Sequence, residues 1–127
     1  MKRFFILLIF TINLLYASEL TYEKAVQKGI KQNKPIMLVL VSNYCSWCNR
    51  FKKNILKDKD IKFRLDEEVI TLIVNKSEDG YPKKFETSLV PTTFFIDPKN
   101  EEEIISQVGY ANIENFKELL DDLKDMY

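Results

Sequence analysis

The chain has 127 residues, 46% of them apolar and 30% charged, which suits one compact domain and leaves no room for two. Its 19 basic and 19 acidic residues cancel, and removing Lys2 and Arg3 at the extreme N-terminus would leave two more acids than bases. Lysines alternate with acids, as in Lys57-Asp58-Lys59-Asp60, so no basic face follows a phosphate backbone and nucleic acid is not an expected partner.

The N-terminal segment MKRFFILLIFTINLLYAS sets two positive charges before an apolar run from Phe4 to Tyr16, then a small residue, Ala17. That is the layout of an export signal. Thr11 and Asn13 interrupt the run, which falls short of the ~20 apolar residues needed to cross a hydrocarbon core. Leu15 stands three positions before the cut, where a signal peptidase prefers a small side chain. Residues 1–17 are therefore read as a signal peptide, with an uncleaved membrane anchor as the alternative, and 18–127 as the folded domain. No cysteine follows the run, which rules out lipid attachment to a cysteine there. The expected destination is oxidising, where a protein with two cysteines either staples or exchanges disulfides.

Past the signal, Thr21 is placed to cap a helix in which Tyr22, Ala25, Val26 and Ile30 recur at helical spacing while Lys24, Gln27, Lys28 and Lys31 face water. Pro35 opens PIMLVLV, an unbroken apolar run to Val41 of the kind found in a strand covered on both faces. From Ser46 to about Lys57 the pattern is again helical, with Trp47, Phe51, Ile55 and Leu56 on one side and Arg50, Lys52 and Lys53 on the other. A charged stretch around Asp58 to Glu68, anchored by Ile61, Phe63 and Leu65, leads into a second buried strand from Val69 to Asn75. Strand, helix, strand in that order predicts neighbouring parallel strands with a right-handed connection. TTFFID and EEIISQV flank the turn Pro98-Lys99-Asn100 and read as an antiparallel hairpin. Gly109 ends the sheet, and Asn112 caps a last helix whose Ile113, Phe116, Leu119, Leu120 and Leu123 form one stripe against it. No repeat or low-complexity linker divides the chain. The Phe and Leu stripes are core positions, not cofactor boxes.

The only two cysteines, Cys45 and Cys48, stand in NYCSWCNR where the first strand gives way to a helix. A closed zinc site needs four Cys or His ligands, and the chain has two cysteines and no histidine, so no metal is expected. Covalent haem attachment needs a histidine where Asn49 stands, and a Cys-His dyad lacks its base. No cofactor is expected either. A permanent staple and a cycling dithiol remain. The staple closes so short a loop that little unfolded-state entropy is removed. A thiolate at Cys45 would instead meet the unpaired N–H groups and the positive end of the dipole at a helix start. Cysteines so placed titrate well below the free value of ~8.5. Cys48 lies one turn on, on the same face, within reach of the same sulfur. The exchange reading has the better physical motive.

With YCSWC between a buried strand and a helix, VPTTFFID some forty-five residues later, and Gly109 before a final amphipathic helix, the chain from about Leu20 onward resembles the thioredoxin-fold family. The resemblance implies an α/β thioredoxin-like domain over 18–127, a three-layer α/β/α arrangement around a central mixed sheet of about four strands. It also implies that Pro91 is cis, a minority state of about 5% of X-Pro bonds, that it lies against the dithiol, and that Val90 offers backbone groups to a substrate strand. The segment NILKDKDIKFRLDEEVITLIVN resembles the periplasmic branch of the family, which includes the C-terminal domain of the transmembrane disulfide reductase and its soluble relatives, mostly reductants.

In function, the resemblance implies an exported, periplasmic thiol–disulfide oxidoreductase acting as a monomer. Cys45 would attack a client protein's disulfide and Cys48 would resolve the mixed disulfide. Val90, Pro91, Trp47 and Tyr44 would contact the client, and a membrane-embedded donor would re-reduce the enzyme. Two departures stand out. Val39 occupies the place where thioredoxin carries a buried acid that moves the proton of the second cysteine. Ser46-Trp47 lacks both the proline of strong reductants and the histidine of the strong oxidase, which leaves the redox direction open. The alternative from another class is a binding module that keeps its disulfide closed and docks a partner at the Val90-Pro91 groove.

Overall fold

The computed structural model describes residues 19–78 and 80–127, so the predicted export signal lies outside the described residues. Along the chain run α1 (Tyr22–Gln32), β1 (Ile36–Val41), α2 (Ser46–Arg50), α3 (Lys59–Glu68), β2 (Ile70–Asn75), β3 (Thr92–Asp97), β4 (Glu102–Val108) and α4 (Ile113–Met126). The strands form one sheet in the order β2-β1-β3-β4. β1 and β2 are parallel, while β3 is antiparallel to both β1 and β4. The predicted crossover pair and the predicted hairpin are both present.

All six residues of β1 are buried, because the strand is central and helices cover both faces. The two-residue period of a strand divides them. Met37, Val39 and Val41 join Phe51 and Ile55 behind α2, Ile61 and Leu65 of α3, and Phe116, Leu120 and Leu123 of α4. Ile36, Leu38 and Leu40 face the other way, against Tyr22 and Ala25 of α1 and the ring of Phe85. The result is the three-layer α/β/α arrangement. Each layer holds an aromatic pair: Phe51 meets Phe116 edge-on with ring centres 5.7 Å apart, and Phe85 meets Phe94 at a tilt with centres 5.2 Å apart. Each such fully buried side chain contributes roughly 1.5–3 kcal/mol.

The helix starts follow their caps. Thr21 Oγ1 accepts from the Lys24 N–H at 3.3 Å, and Asn112 Oδ1 accepts from the Asn115 N–H at 2.8 Å. Asp58 does the same for the N–H groups of Asp60 and Ile61, at 3.1 and 3.0 Å, and so starts a helix where sequence patterning suggests only a charged stretch. Every position of α3 but a few is charged, and its buried stripe is only Ile61 and Leu65. Phe63, expected as an anchor, is 68% exposed, since the i,i+4 spacing of the other two turns it outward.

Three further expectations shift. The helix beginning at Ser46 stays regular only to Arg50 and then widens into a π-helical turn, Phe51–Ile55, in which the Leu56 N–H reaches back to Phe51 O. That extra residue per turn brings Phe51 and Ile55 into the core, leaves Leu56 half-buried and puts Trp47 outside. In the last turn of α1 the buried position is Gly29, following Tyr22 and Ala25, while Ile30 is exposed. Finally, β2 begins at Ile70 and is an edge strand, so Ile73 faces solvent instead of a covering layer.

Candidate active site

The site forms where β1 ends. Val41 is the last buried residue of the strand, and the chain then turns through Tyr44, whose φ of 57° is left-handed. Aromatic residues rarely adopt that region, at a cost of roughly 1–2 kcal/mol. Cys45 follows in extended geometry and serves as the N-cap of α2: its Sγ accepts the Cys48 N–H at 3.1 Å. A backbone N–H aimed at a sulfur stabilises the thiolate form.

Cys45 and Cys48 are joined in a disulfide, with Cα atoms 5.2 Å apart. They are not equivalent. Cys48 is 1% exposed and belongs to the apolar cluster that contains Val39, whereas Cys45 is half-buried at the surface. An incoming sulfur reaches Cys45 first.

Opposite lies the Leu89-Val90-Pro91 segment. The Val90–Pro91 peptide bond is cis, and the Val90 carbonyl oxygen stands 3.9 Å from Cys45 Sγ. The segment is held from both sides. The Leu89 N–H donates to Thr87 Oγ1 at 3.2 Å and the Thr92 hydroxyl donates to Leu89 O at 2.6 Å. Pro91 O accepts from the Gly109 N–H at 2.7 Å, a turn made possible by the φ of 80° at Gly109.

Trp47 and Tyr110 close the far side with ring centres 5.5 Å apart, and the Arg50 guanidinium lies 4.6 Å over the Trp47 ring. Trp47, Val90, Pro91, Gly109 and Tyr110 line an open cleft of about 290 Å³. Tyr44, directly before Cys45, projects fully into solvent, and Leu89 and Val108 are also exposed. All six residues named from the sequence thus sit at one end of the sheet. Tyr110 is not one of them. Its one signal is an aromatic directly after the glycine that closes the sheet, which by itself does not distinguish a cleft wall from core.

The loop leading to Val90 carries a charge network of its own. Lys76 Nζ meets Glu86 Oε1 at 2.9 Å and also donates to the Thr87 carbonyl, while the Tyr81 hydroxyl donates to Glu86 Oε2 at 2.6 Å. The bond to Glu86 pushes Tyr81 up to about 12, and the same bond, seconded by Lys76, holds the Glu86 carboxyl below its usual value.

Among the described residues no helix is long and apolar enough to cross a membrane, and no group of three or more His, Cys, Asp or Glu is placed to hold a metal ion.

A surface Cys-x-x-Cys disulfide at the junction of a central strand and a helix, on a four-stranded mixed sheet, defines the class: proteins that carry a redox-active cysteine pair on an α/β scaffold. The model of the thioredoxin-like domain matches residues 22–124, and the chain belongs to that family. Solved structures share the fold at low identity. A thioredoxin from Thermus thermophilus superposes with a TM-score of 0.71 at 19% identity, over 82% of this chain and 84% of that one. The reduced C-terminal domain of DsbD from Neisseria meningitidis gives 0.60 at 16% identity, over 76% and 89%. The periplasmic thioredoxin SoxS from Paracoccus pantotrophus gives 0.54 at 18% identity, over 73% and 98%. No curated protein matches the sequence.

Proposed function

We propose that this protein is an exported thiol–disulfide oxidoreductase that reduces disulfides in client proteins. One observation carries the reading: the half-buried Cys45 sulfur, capped by the Cys48 N–H, lies 3.9 Å from a backbone carbonyl that has no strand partner of its own. An extended client segment pairing with Val90 would bring its own disulfide to Cys45.

In the reduced protein the Cys45 thiolate attacks one client sulfur. A Cys45–client disulfide forms, the client S–S bond breaks, and the other client sulfur leaves as thiolate. Cys48 then attacks Cys45 Sγ, the mixed disulfide breaks, and the second client thiol departs. Two electrons have passed to the client, and the protein is left as the Cys45–Cys48 disulfide. Val39 gives Cys48 no acid or base, so the client's departing thiolate is the base at hand for the Cys48 proton. Trp47 and Tyr44 flank the client segment with exposed aromatic surface. A membrane-embedded dithiol donor restores the reduced state. Likeness to the DsbD domain and to a periplasmic thioredoxin supports action outside the cytoplasm, as does the N-terminal segment.

The test is turnover of insulin disulfides with dithiothreitol, comparing wild type with Cys45→Ser. Activity that vanishes in the variant supports the reading; equal behaviour of the two would make the protein a binding module with a closed disulfide. Equilibration against glutathione buffers, read by mass shift after thiol labelling, fixes the direction. A reductant falls toward the thioredoxin value of about −270 mV, and a result near the oxidase value of about −120 mV would overturn it.

A further inference from the structure

The two halves of the site, the loop before Cys45 and the segment before Val90, lie forty-five residues apart in sequence, and the pairing of β1 with β3 ties them no further than Leu40 opposite Thr92, short of both. Two consecutive residues, Asn75 at the end of β2 and Lys76 just past it, touch one half each. Asn75 Nδ2 donates to Asn43 Oδ1 at 2.8 Å, two residues before Cys45. The orientation of the Asn75 amide is dictated by its other end: Oδ1 accepts the Ser77 N–H at 3.0 Å, a group that can only donate, and the Ser77 hydroxyl at 2.7 Å. The next residue, Lys76, points across to the other loop, where it donates to the Thr87 carbonyl and pairs with Glu86 at 2.9 Å. Thr87 in turn holds the Leu89 N–H.

From this bridge we infer that Asn75 and Lys76 are positioning residues that set the separation between the Cys45 sulfur and the Val90 backbone. The inference rests on the proposed reductase reading. Neither side chain touches the disulfide. Asn75 restrains the loop that holds Tyr44 in its left-handed turn, and Lys76 restrains the strand-like segment on which a client would pair. A client protein needs both elements in register, because its sulfur must reach Cys45 while its backbone lies along Val90. A small disulfide needs only the sulfur. Loosening the bridge should therefore discriminate between the two kinds of substrate, which general loss of stability would not.

The experiment compares wild type, Lys76→Met, Lys76→Arg and Asn75→Ala on insulin and on hydroxyethyl disulfide, with amide hydrogen exchange of each variant recorded in parallel. Expected is a fall of about tenfold in kcat/KM on insulin for Lys76→Met, carried mainly by KM, with the small-disulfide rate within about twofold of wild type. Lys76→Arg should recover most of the loss, and Asn75→Ala should show the same split. Exchange at the Leu89 N–H should accelerate in Lys76→Met while Phe95 in mid-strand stays protected. A parallel fall on both substrates, or an unchanged insulin rate with unchanged exchange at Leu89, would overturn the inference. If wild type reduces neither substrate, the reductase reading fails by itself, and the exchange comparison still decides whether Lys76 fixes the Val90 segment.

Discussion

Where β1 begins, Gly29 of α1 lies so close to the β3–β4 turn that a Cβ there would meet Lys34 O at 2.8 Å and the Pro98 ring at 3.0 Å. Where β1 stops, the chain carries a left-handed tyrosine, an open cleft and four exposed apolar side chains, Tyr44, Trp47, Leu89 and Val108. Left-handed backbone occurs at both ends, with different consequences. At the first end, Asn33 (φ 52°) closes the C-terminus of α1 and Glu101 (φ 58°) closes the hairpin, each with a backbone hydrogen bond that explains it. At the other end, Tyr44 closes no helix or hairpin, and its ring packs on nothing. Strain and apolar exposure without a packing return point to a surface shaped for something else to touch.

Substitutions at the two ends should separate stability from chemistry. The largest effect belongs to Cys45→Ser, which removes the accessible sulfur: insulin reduction should drop to the uncatalysed background while the urea midpoint shifts little, because the lost loop is short. At the opposite end, Gly29→Ala should do the reverse. Alanine is favoured over glycine inside a helix by about 1 kcal/mol, so a gain in stability would mean the close approach to Pro98 yields freely. Crowding against a backbone oxygen costs about 1–3 kcal/mol, and the expected outcome is a lower urea midpoint with unchanged activity per folded molecule.

Smaller effects sharpen the contrast. Tyr44→Gly relieves the left-handed turn and gives up no buried contact, so stability should hold or rise by up to about 1 kcal/mol. Reduction of protein disulfides should fall several-fold if that ring contacts clients. The smallest change concerns pH. The folded-state value of Tyr81 is raised to about 12, above the ordinary 10, so its contribution is fully present below pH 10 and fades as pH rises toward 12. Tyr81→Phe should remove that alkaline loss from the dependence of unfolding free energy on pH, while leaving the disulfide chemistry near neutrality as in wild type.

Much of the scaffold is legible in the sequence because single residues announce it. Thr21 and Asn112 cap helices, Pro98 leads the hairpin, and the apolar run of β1 predicts a strand covered on both faces. Elements whose signal depends on neighbours are harder to read. α3 is a helix because Asp58 caps it and because Arg64 ties it to α4, through Asp121 at 2.8 Å and the Lys117 carbonyl at 3.3 Å, and neither contact shows in a local pattern. The need for glycine at position 29 is set by the Pro98 ring and the Lys34 carbonyl, which only the folded chain brings against it. At the site, spacing alone puts Cys45 and Cys48 within one turn of each other. Their unequal exposure, the Tyr110 wall and the Asn75-Lys76 bridge come from the folded topology, which gathers the segments that leave β1, β2 and β4 and the one that enters β3 at one end of the sheet.

The most direct test is an intact-mass measurement of the reduced Cys48→Ser variant mixed with insulin. Cys45 should carry a covalent adduct that dithiothreitol removes, since the sulfur that would resolve it is gone. A variant whose folded form stays unmodified, while its thiol reacts once the chain is unfolded, would show that Cys45 is not open to client disulfides and would contradict the account.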